Sequence, residues 1–121
     1  MGYHLRDGFF IATRITGPTH NFLGLKFCDR FVPPDDFVFD VIENEEKRIT
    51  REQVTTEVMA GLELVNRQLE TNYHIKEIRV FSDDSPTVGV YGFLTRCIVY
   101  RLYRFPNDYV AKGSRLELPP E

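Results

Sequence analysis

The chain has 121 residues, of which 42% are hydrophobic and 27% charged, and its formal net charge is −3. This length suits one domain with one core, and an aromatic content of 13% argues against a disordered chain. Because the sequence contains no apolar run of about 18 residues and no signal-peptide pattern, we expect a cytoplasmic protein with neither a membrane span nor a lipid anchor.

Three strands are predicted in the first part of the chain. The aromatic and β-branched run at residues 8–16 ends in a Gly-Pro turn, and residues 22–28 then alternate, so the two runs predict a hairpin. After a Pro-Pro pair, residues 36–43 alternate again, with aromatic and aliphatic side chains on one side. This alternation predicts a third strand.

One long helix follows these strands. Thr50 and Gln53 fit a capping box at its start, and an apolar stripe with helical spacing continues for about 20 residues. Gly61 lies beside the stripe and is expected to let a strand approach closely. The stripe consists of Val54, Val58, Leu62, Val65 and Leu69.

The rest of the chain is predicted to form two more strands and a tail. Residues 75–82 are typical of a strand, residues 83–86 of a turn, and residues 88–104 of one long strand bent at a glycine. Residues 105–121 form a C-terminal tail. The prediction is a single α+β domain over residues 1–121 in the order β-β-β-α-β-β, with a mostly antiparallel sheet and one long helix on one face.

A sheet of this width would extend beyond a single helix. Five strands span roughly 20 Å, whereas a helix covers about 10–12 Å. An apolar patch as large as the predicted second face usually marks an interface, so we expect a homo-oligomer or a protein partner. A curled sheet, or the tail folded over it, is the alternative. The residues assigned to this face are Phe10, Ala12, Phe22, Val38, Ile42, Phe81, Tyr91, Phe93, Thr95, Cys97, Val99, Arg101 and Tyr103.

Charge is unevenly distributed along the sequence. Residues 29–57 are mainly acidic and residues 93–115 mainly basic, an asymmetry that can orient partners, including a second copy of the chain. The acidic cluster at residues 35–46 would suit a basic target, as in an inhibitor or immunity protein. Two ordinary solvated surfaces are the alternative interpretation.

An arginine and tyrosine cluster on the last predicted strand gives a second functional hypothesis. Guanidinium and aromatic groups together bind phosphates and unstacked bases. A pI near 5.6 and the absence of RNA-binding or zinc-finger motifs count against nucleic acid, so small-ligand or nucleotide binding is the main form of this alternative. The candidate ligand-binding residues are Arg96, Tyr100, Arg101, Tyr103 and Arg104.

The sequence contains no recognisable catalytic motif. Cys28 and Cys97 lack CxxC spacing and are interpreted as buried free thiols in strands. An enzyme would need His20 or His74 as a general base at a subunit junction. We therefore predict a binding or assembly protein without enzymatic activity.

Paired acids adjoin prolines at residues 35–36 and 83–84. Aspartates beside proline commonly form turns, which is favoured here over metal binding or acid–base chemistry. The sequence therefore predicts no metal and no cofactor.

Overall fold

The fold is a five-stranded sheet accompanied by two helices. The computed structural model describes residues 1–43, 46–107 and 109. In chain order the elements are β1 (Gly2–Arg6), β2 (Phe9–Thr16), β3 (Thr19–Cys28), a 3-10 turn (Pro34–Asp36), β4 (Val38–Ile42), α1 (Arg51–Leu69), β5 (His74–Phe81) and α2 (Val90–Arg104).

The sheet is mostly antiparallel, which confirms the predicted α+β class. Its order is β1-β2-β3-β5-β4. The pairs β1–β2, β2–β3 and β3–β5 are antiparallel, whereas β4 and β5 are parallel and are connected through α1. This connection leaves β4 as the outermost strand on one side.

Tight turns connect the first three strands. Arg6 pairs with Phe9, so the β1–β2 loop contains only Asp7 and Gly8, both at positive φ (54° and 81°). A two-residue turn of this kind requires positive φ at both central positions, and Asp-Gly is a favoured pair for it. From the sequence, Gly8 was predicted to start a strand, and β1 was not predicted.

Helix α1 agrees with its prediction. The side chain of Thr50 accepts a hydrogen bond from the Gln53 amide, so the N-cap is confirmed. At the other end Asn66 anchors the helix to the approach to β5: its side chain donates to the carbonyl of Tyr73 and accepts from the Tyr73 amide and the Thr71 hydroxyl. The buried side of α1 includes Val54, Val58, Leu62 and Val65.

The prediction of a long final strand is wrong, because residues 90–104 form α2. β-branched and aromatic residues dominate this segment and favour strands, but its buried positions recur with helical spacing. Cys97 therefore lies in a helix, and the single predicted helix becomes two. The buried residues of α2 are Val90, Tyr91, Leu94, Thr95, Cys97, Ile98, Val99 and Arg101.

The two helices approach each other most closely at a pair of glycines. A Cβ atom built on Gly61 would lie 2.4 Å from the Gly92 carbonyl oxygen, and one on Gly92 would lie 3.0 Å from the Glu57 carbonyl oxygen. The close approach expected at Gly61 is therefore present, but the element that approaches is α2 and not a strand.

The core lies between the helices and one face of the sheet. Buried residues of both helices form one cluster with side chains from the strands. Phe10 and Ala12 belong to this cluster or pack against it, so their assignment to the opposite face was wrong. The strand residues buried in the cluster are Tyr3, Ala12, Leu23, Leu25, Ile75, Ile78 and Val80.

The opposite face is smaller and more polar than predicted. Phe22 and Phe81 do lie there, with ring centroids 4.5 Å apart. Phe9 also faces this way and is buried, because the guanidinium of Arg79 and the ammonium of Lys26 lie 4.2 and 4.6 Å from its ring centroid. Long cationic side chains thus cover part of the apolar surface. The residues of 90–104 assigned to this face belong to α2 instead.

Little of the predicted tail belongs to the described part of the chain. Residues 105–107 and 109 are included, and the other tail residues lie outside it. Tyr109 is buried, its ring packs edge-on against Tyr3 and Phe10, and its hydroxyl donates to the Ile11 carbonyl. This tyrosine therefore fixes the start of the tail against β1 and β2.

Candidate functional site

The predicted arginine and tyrosine cluster lies on α2, where helical geometry directs one of its five members away from the other four. Arg96, Tyr100, Tyr103 and Arg104 fall within one arc of the helix surface, and Tyr103 is 49% exposed. Arg101 points elsewhere: it is buried, and its guanidinium lies 4.8 Å from the ring centroid of Tyr3 and 4.8 Å from that of Phe105. Its Nε donates to the Tyr109 carbonyl.

The outer edge of β4 is one of the two open edges of the described sheet. β4 ends the sheet order, so no described strand pairs with its outer side. Val38 is 55% exposed and Val41 is 39% exposed. An uncovered edge strand with exposed apolar side chains is a template for pairing with another strand.

The other edge of the sheet, β1, has a different character. Its sequence GYHLR places the exposed side chains of His4 and Arg6 at the edge, and charged edge side chains discourage strand addition. β4 has the sequence VFDVI with a single charge, Asp40. That charge is held internally, since Arg79 Nε and Nη2 lie 2.8 and 2.7 Å from Asp40 Oδ2.

Register fixes the two sides of β4. Phe39 and Val41 pair with the core residues Ile78 and Val80 and so lie on the helix side. Val38, Asp40 and Ile42 therefore lie on the opposite side, since successive side chains alternate. Apolar groups thus flank the strand on both faces.

A groove of about 300 Å³ runs between β4 and the start of α1. Its walls are mainly apolar, and charged side chains stand at its rim. The guanidinium of Arg51 closes one end, lying 4.7 Å from the Phe39 ring centroid while donating to the Phe37 carbonyl at 2.8 Å. The lining residues are Phe39, Val41, Glu43, Lys47, Ile49, Thr50, Arg51, Val54, Val80 and Ser82.

A second polar cluster connects the start of β3 to the loop after β5. The Ser85 amide donates to the His20 carbonyl, and the His20 amide donates to Ser85 Oγ. Oδ2 of Asp84 accepts from the Phe22 amide at 2.9 Å and from the Tyr91 hydroxyl at 2.8 Å. The loop therefore continues the sheet beyond the last β3–β5 pair.

Burial perturbs two groups in this cluster. It raises the pKa of Asp84 to about 6, even though the Phe22 amide and the Tyr91 hydroxyl donate to that carboxyl group. Burial and the neighbouring Asp84 together raise the pKa of Tyr91 well above its ordinary value. From the sequence, a turn was favoured at residues 83–84 over metal binding, and His20 was named only as a candidate general base. Nothing in the sequence indicated that His20 lies beside these acids.

Comparison with known proteins gives no family for this chain. No protein-family model, no curated protein and no solved structure matches it. In the described residues, neither helix is long and apolar enough to cross a membrane.

Proposed function

We propose that this protein is a non-enzymatic assembly protein that self-associates by pairing β4 with β4 of a second copy. The carrying observation is the sequence VFDVI on an open sheet edge. When two copies of this pentapeptide pair in antiparallel orientation about the central residue, apolar residues lie opposite apolar residues at every position except the middle.

The register can be derived from geometry. A two-fold axis through Asp40 places Val38 opposite Ile42 of the second copy and Phe39 opposite Val41 of the second copy. These pairs keep each side chain on its own face, as antiparallel pairing demands. Centring the axis on Phe39 or Val41 shortens the overlap and sets Asp40 against an apolar residue.

The central pair brings two Asp40 side chains together. Like charges directly opposite each other destabilise a sheet, but Arg79 of the same chain already neutralises each carboxylate. On the helix side, the groove between β4 and α1 would receive the apolar side chains of the second strand. This arrangement supports a continuous ten-stranded sheet.

The exposed fractions of Val38 and Val41 give an estimate of their contribution to the free energy of association. Complete burial of a valine is worth about 1.5–3 kcal/mol, and Val38 and Val41 retain 55% and 39% of their exposure. Covering both in both copies would therefore contribute about 3–6 kcal/mol, or a factor of about a hundred to ten thousand in the dissociation constant.

Light scattering coupled to size exclusion is the direct test. The wild-type protein should have twice the 14.2 kDa chain mass. The dissociation constant of the double variant Val38→Lys/Val41→Lys should be at least about 100-fold higher. Val88→Lys is the matched control, because Val88 is 89% exposed and lies in the loop between β5 and α2, outside β4. A wild-type monomer at high concentration, or a dimer unaffected by the double substitution, would contradict the proposal.

Cross-linking tests the register itself. In a Cys28→Ser background, Val38→Cys/Ile42→Cys should give a covalent dimer, because directly opposed residues lie about 4.5–5.5 Å apart, within disulfide range. Val88→Cys should give none. A monomeric protein that instead captures an extended partner segment at β4 would show neither dimer nor cross-link, and self-association would then be wrong.

Four of the five arginine and tyrosine residues share one side of α2, which supports nucleotide or small-ligand binding as a second candidate function. Absorbance at 260 nm recorded across the same chromatographic peak tests it. Excess absorbance that disappears in Arg96→Ala/Tyr103→Ala would support this candidate. A peak without excess absorbance, together with no binding of added ATP, would contradict it.

A further inference from the structure

Three metal-binding side chains converge where β3 begins. His20, Asp83 and Asp84 each offer a ligand atom, and these atoms all lie within 4.8 Å of one another. His20 Nε2 and Asp83 Oδ1 lie 3.9 Å apart. Ligands on a cation with bonds near 2.1 Å lie about 3–4 Å apart, so small side-chain rotations would bring the three atoms into coordination.

Asp84 supplies a second, independent observation that points to a cation. Its side chain has no exposed surface. Oδ2 accepts two hydrogen bonds, yet Oδ1 is buried without any hydrogen-bond partner among the described residues. Leaving a charged oxygen in this condition costs free energy, and coordination to a cation would remove that cost.

The charges around Asp84 also favour a cation. Asp83 places a second negative charge beside the Asp84 carboxyl group, and the imidazole of His20 also lies close to it. By contrast, Asp40 is paired with Arg79. The cluster thus has two carboxylates and an imidazole in a partly buried position.

The backbone around these ligands is held in place before any ion binds. The reciprocal bonds between His20 and Ser85 fix the loop to β3. Asn21 adds a third connection, because its side-chain amide donates to the Ser85 carbonyl at 2.8 Å. Tyr91 orients the Asp84 carboxylate from α2. Groups that orient a ligand in this way are typical of metal sites.

We propose that His20, Asp83 and Asp84 bind one divalent transition-metal ion, of the zinc or manganese type, which fastens the β5–α2 loop to the start of β3. One imidazole and two carboxylates suit these ions better than Mg²⁺ or Ca²⁺, which prefer oxygen ligands alone. Three protein ligands leave at least one coordination position for water. This site is separate from the β4 edge and does not depend on self-association.

Isothermal titration with ZnCl₂ and MnCl₂ on metal-free protein tests the proposal, with MgCl₂ as the comparison ion. Cys28 and His74 are cross-strand partners and could bind zinc on their own, so all proteins carry Cys28→Ser. The variants are His20→Ala and Asp84→Asn, and His4→Ala is the matched control at an exposed strand position.

One ion per chain is expected to bind to the parent protein and to His4→Ala. Loss of a group that only orients a ligand costs about 10–100-fold in affinity, so His20→Ala and Asp84→Asn should each weaken binding at least 100-fold. Tyr91→Phe, which removes an orienting hydroxyl, should weaken it about 10-fold. Magnesium should bind more weakly than either transition metal.

Folding of each variant is checked by its melting temperature without metal. The His20 side chain is 43% exposed, and its Nε2 lies 3.9 Å from Asp83 Oδ1, so His20→Ala should melt like the parent and decides the question even if Asp84→Asn is unstable. Absence of zinc or manganese binding by the parent would overturn the proposal. Binding that His20→Ala leaves unchanged would also overturn it.

Discussion

The crossing of α1 and α2 depends on Gly61 having no side chain. Gly61→Ala tests this dependence, because helix propensity and steric overlap predict opposite changes in stability. Alanine is favoured over glycine inside a helix by about 1 kcal/mol, so propensity predicts stabilisation. The new Cβ, however, would lie 2.4 Å from the Gly92 carbonyl oxygen and 2.9 Å from Gly92 Cα.

The expected loss of stability in Gly61→Ala depends on which atoms must move to accept the new Cβ. Backbone atoms cannot rotate away as a flexible side chain can, so the helices must separate by about 1 Å, which weakens dispersion contacts along their interface. Overpacking of this kind costs about 1–3 kcal/mol and sometimes more. Taking the upper end and subtracting the propensity gain, we expect a net loss of about 2 kcal/mol, or roughly 8 °C in melting temperature for a chain of this size.

Two controls separate these terms in chemical and thermal denaturation. Ala60→Gly, at the exposed neighbouring position of α1, measures the propensity term alone and should cost about 1 kcal/mol. Gly92→Ala, whose Cβ would lie 3.0 Å from the Glu57 carbonyl oxygen, should be milder than Gly61→Ala. A Gly61→Ala protein as stable as the wild type, or more stable, would refute the close-crossing argument.

Three further predictions concern the helix ends and the thiols. Thr50→Ala removes the acceptor of the Gln53 amide and should lower the free energy of unfolding by about 1 kcal/mol, with Thr50→Ser as the neutral comparison in urea denaturation. Asn66→Ala removes the three side-chain hydrogen bonds that connect α1 to the approach to β5 and should cost about 2–3 kcal/mol at roughly 1 kcal/mol each; a loss below that of Thr50→Ala would contradict this. Burial raises the pKa of Cys97 to about 11, so at pH 8 only about one Cys97 thiol in a thousand is ionised. A thiol reagent should therefore modify only the half-buried Cys28 until denaturant is added. Rapid modification of both thiols in the native protein would contradict this prediction.

Much of the sheet and the first helix could be predicted from the sequence because the signals were local. The capping residues and the apolar stripe of α1 specify a helix without reference to the rest of the chain. The predicted strands at residues 8–16, 22–28, 36–43 and 75–82 agree with β2 to β5 to within a few residues. β1 was missed because its five residues alternate weakly and gain their partners only through the Asp-Gly turn.

The candidate sites could not be predicted because they depend on sheet order and long-range contact. The sequence of β4 does not reveal that β5 lies on one side of it and nothing described lies on the other. The polar cluster between β3 and the loop after β5 likewise joins residues that are distant in sequence. Phe22 and Asp84 are separated by 62 positions, and His20 and Ser85 by 65 positions. Adjacent acids after a strand gave only a turn signal.

Helix α2 shows most clearly how tertiary contacts override local preference. Its N-cap, Gly89, provides no side-chain hydrogen bond. The protein supplies a substitute from α1, where Glu57 Oε1 accepts from the Tyr91 amide at 3.0 Å, while Asp84 accepts from the Tyr91 hydroxyl. Isolated helices of about 15 residues are marginal even with favourable residues, and α2 is rich in β-branched and aromatic ones.

If this reasoning holds, a peptide of residues 88–105 should show no helical circular dichroism in water. A peptide of residues 49–72, which carries its own N-cap at Thr50, should show measurable helicity under the same conditions. Equal helicity in both would mean that α2 is encoded locally and that strand propensity misled the prediction for another reason. A disordered α2 peptide would instead mean that residues 90–104 become helical because of tertiary contacts. Those contacts are made through Gly92, Glu57 and Asp84, where α2 approaches or bonds to the rest of the fold.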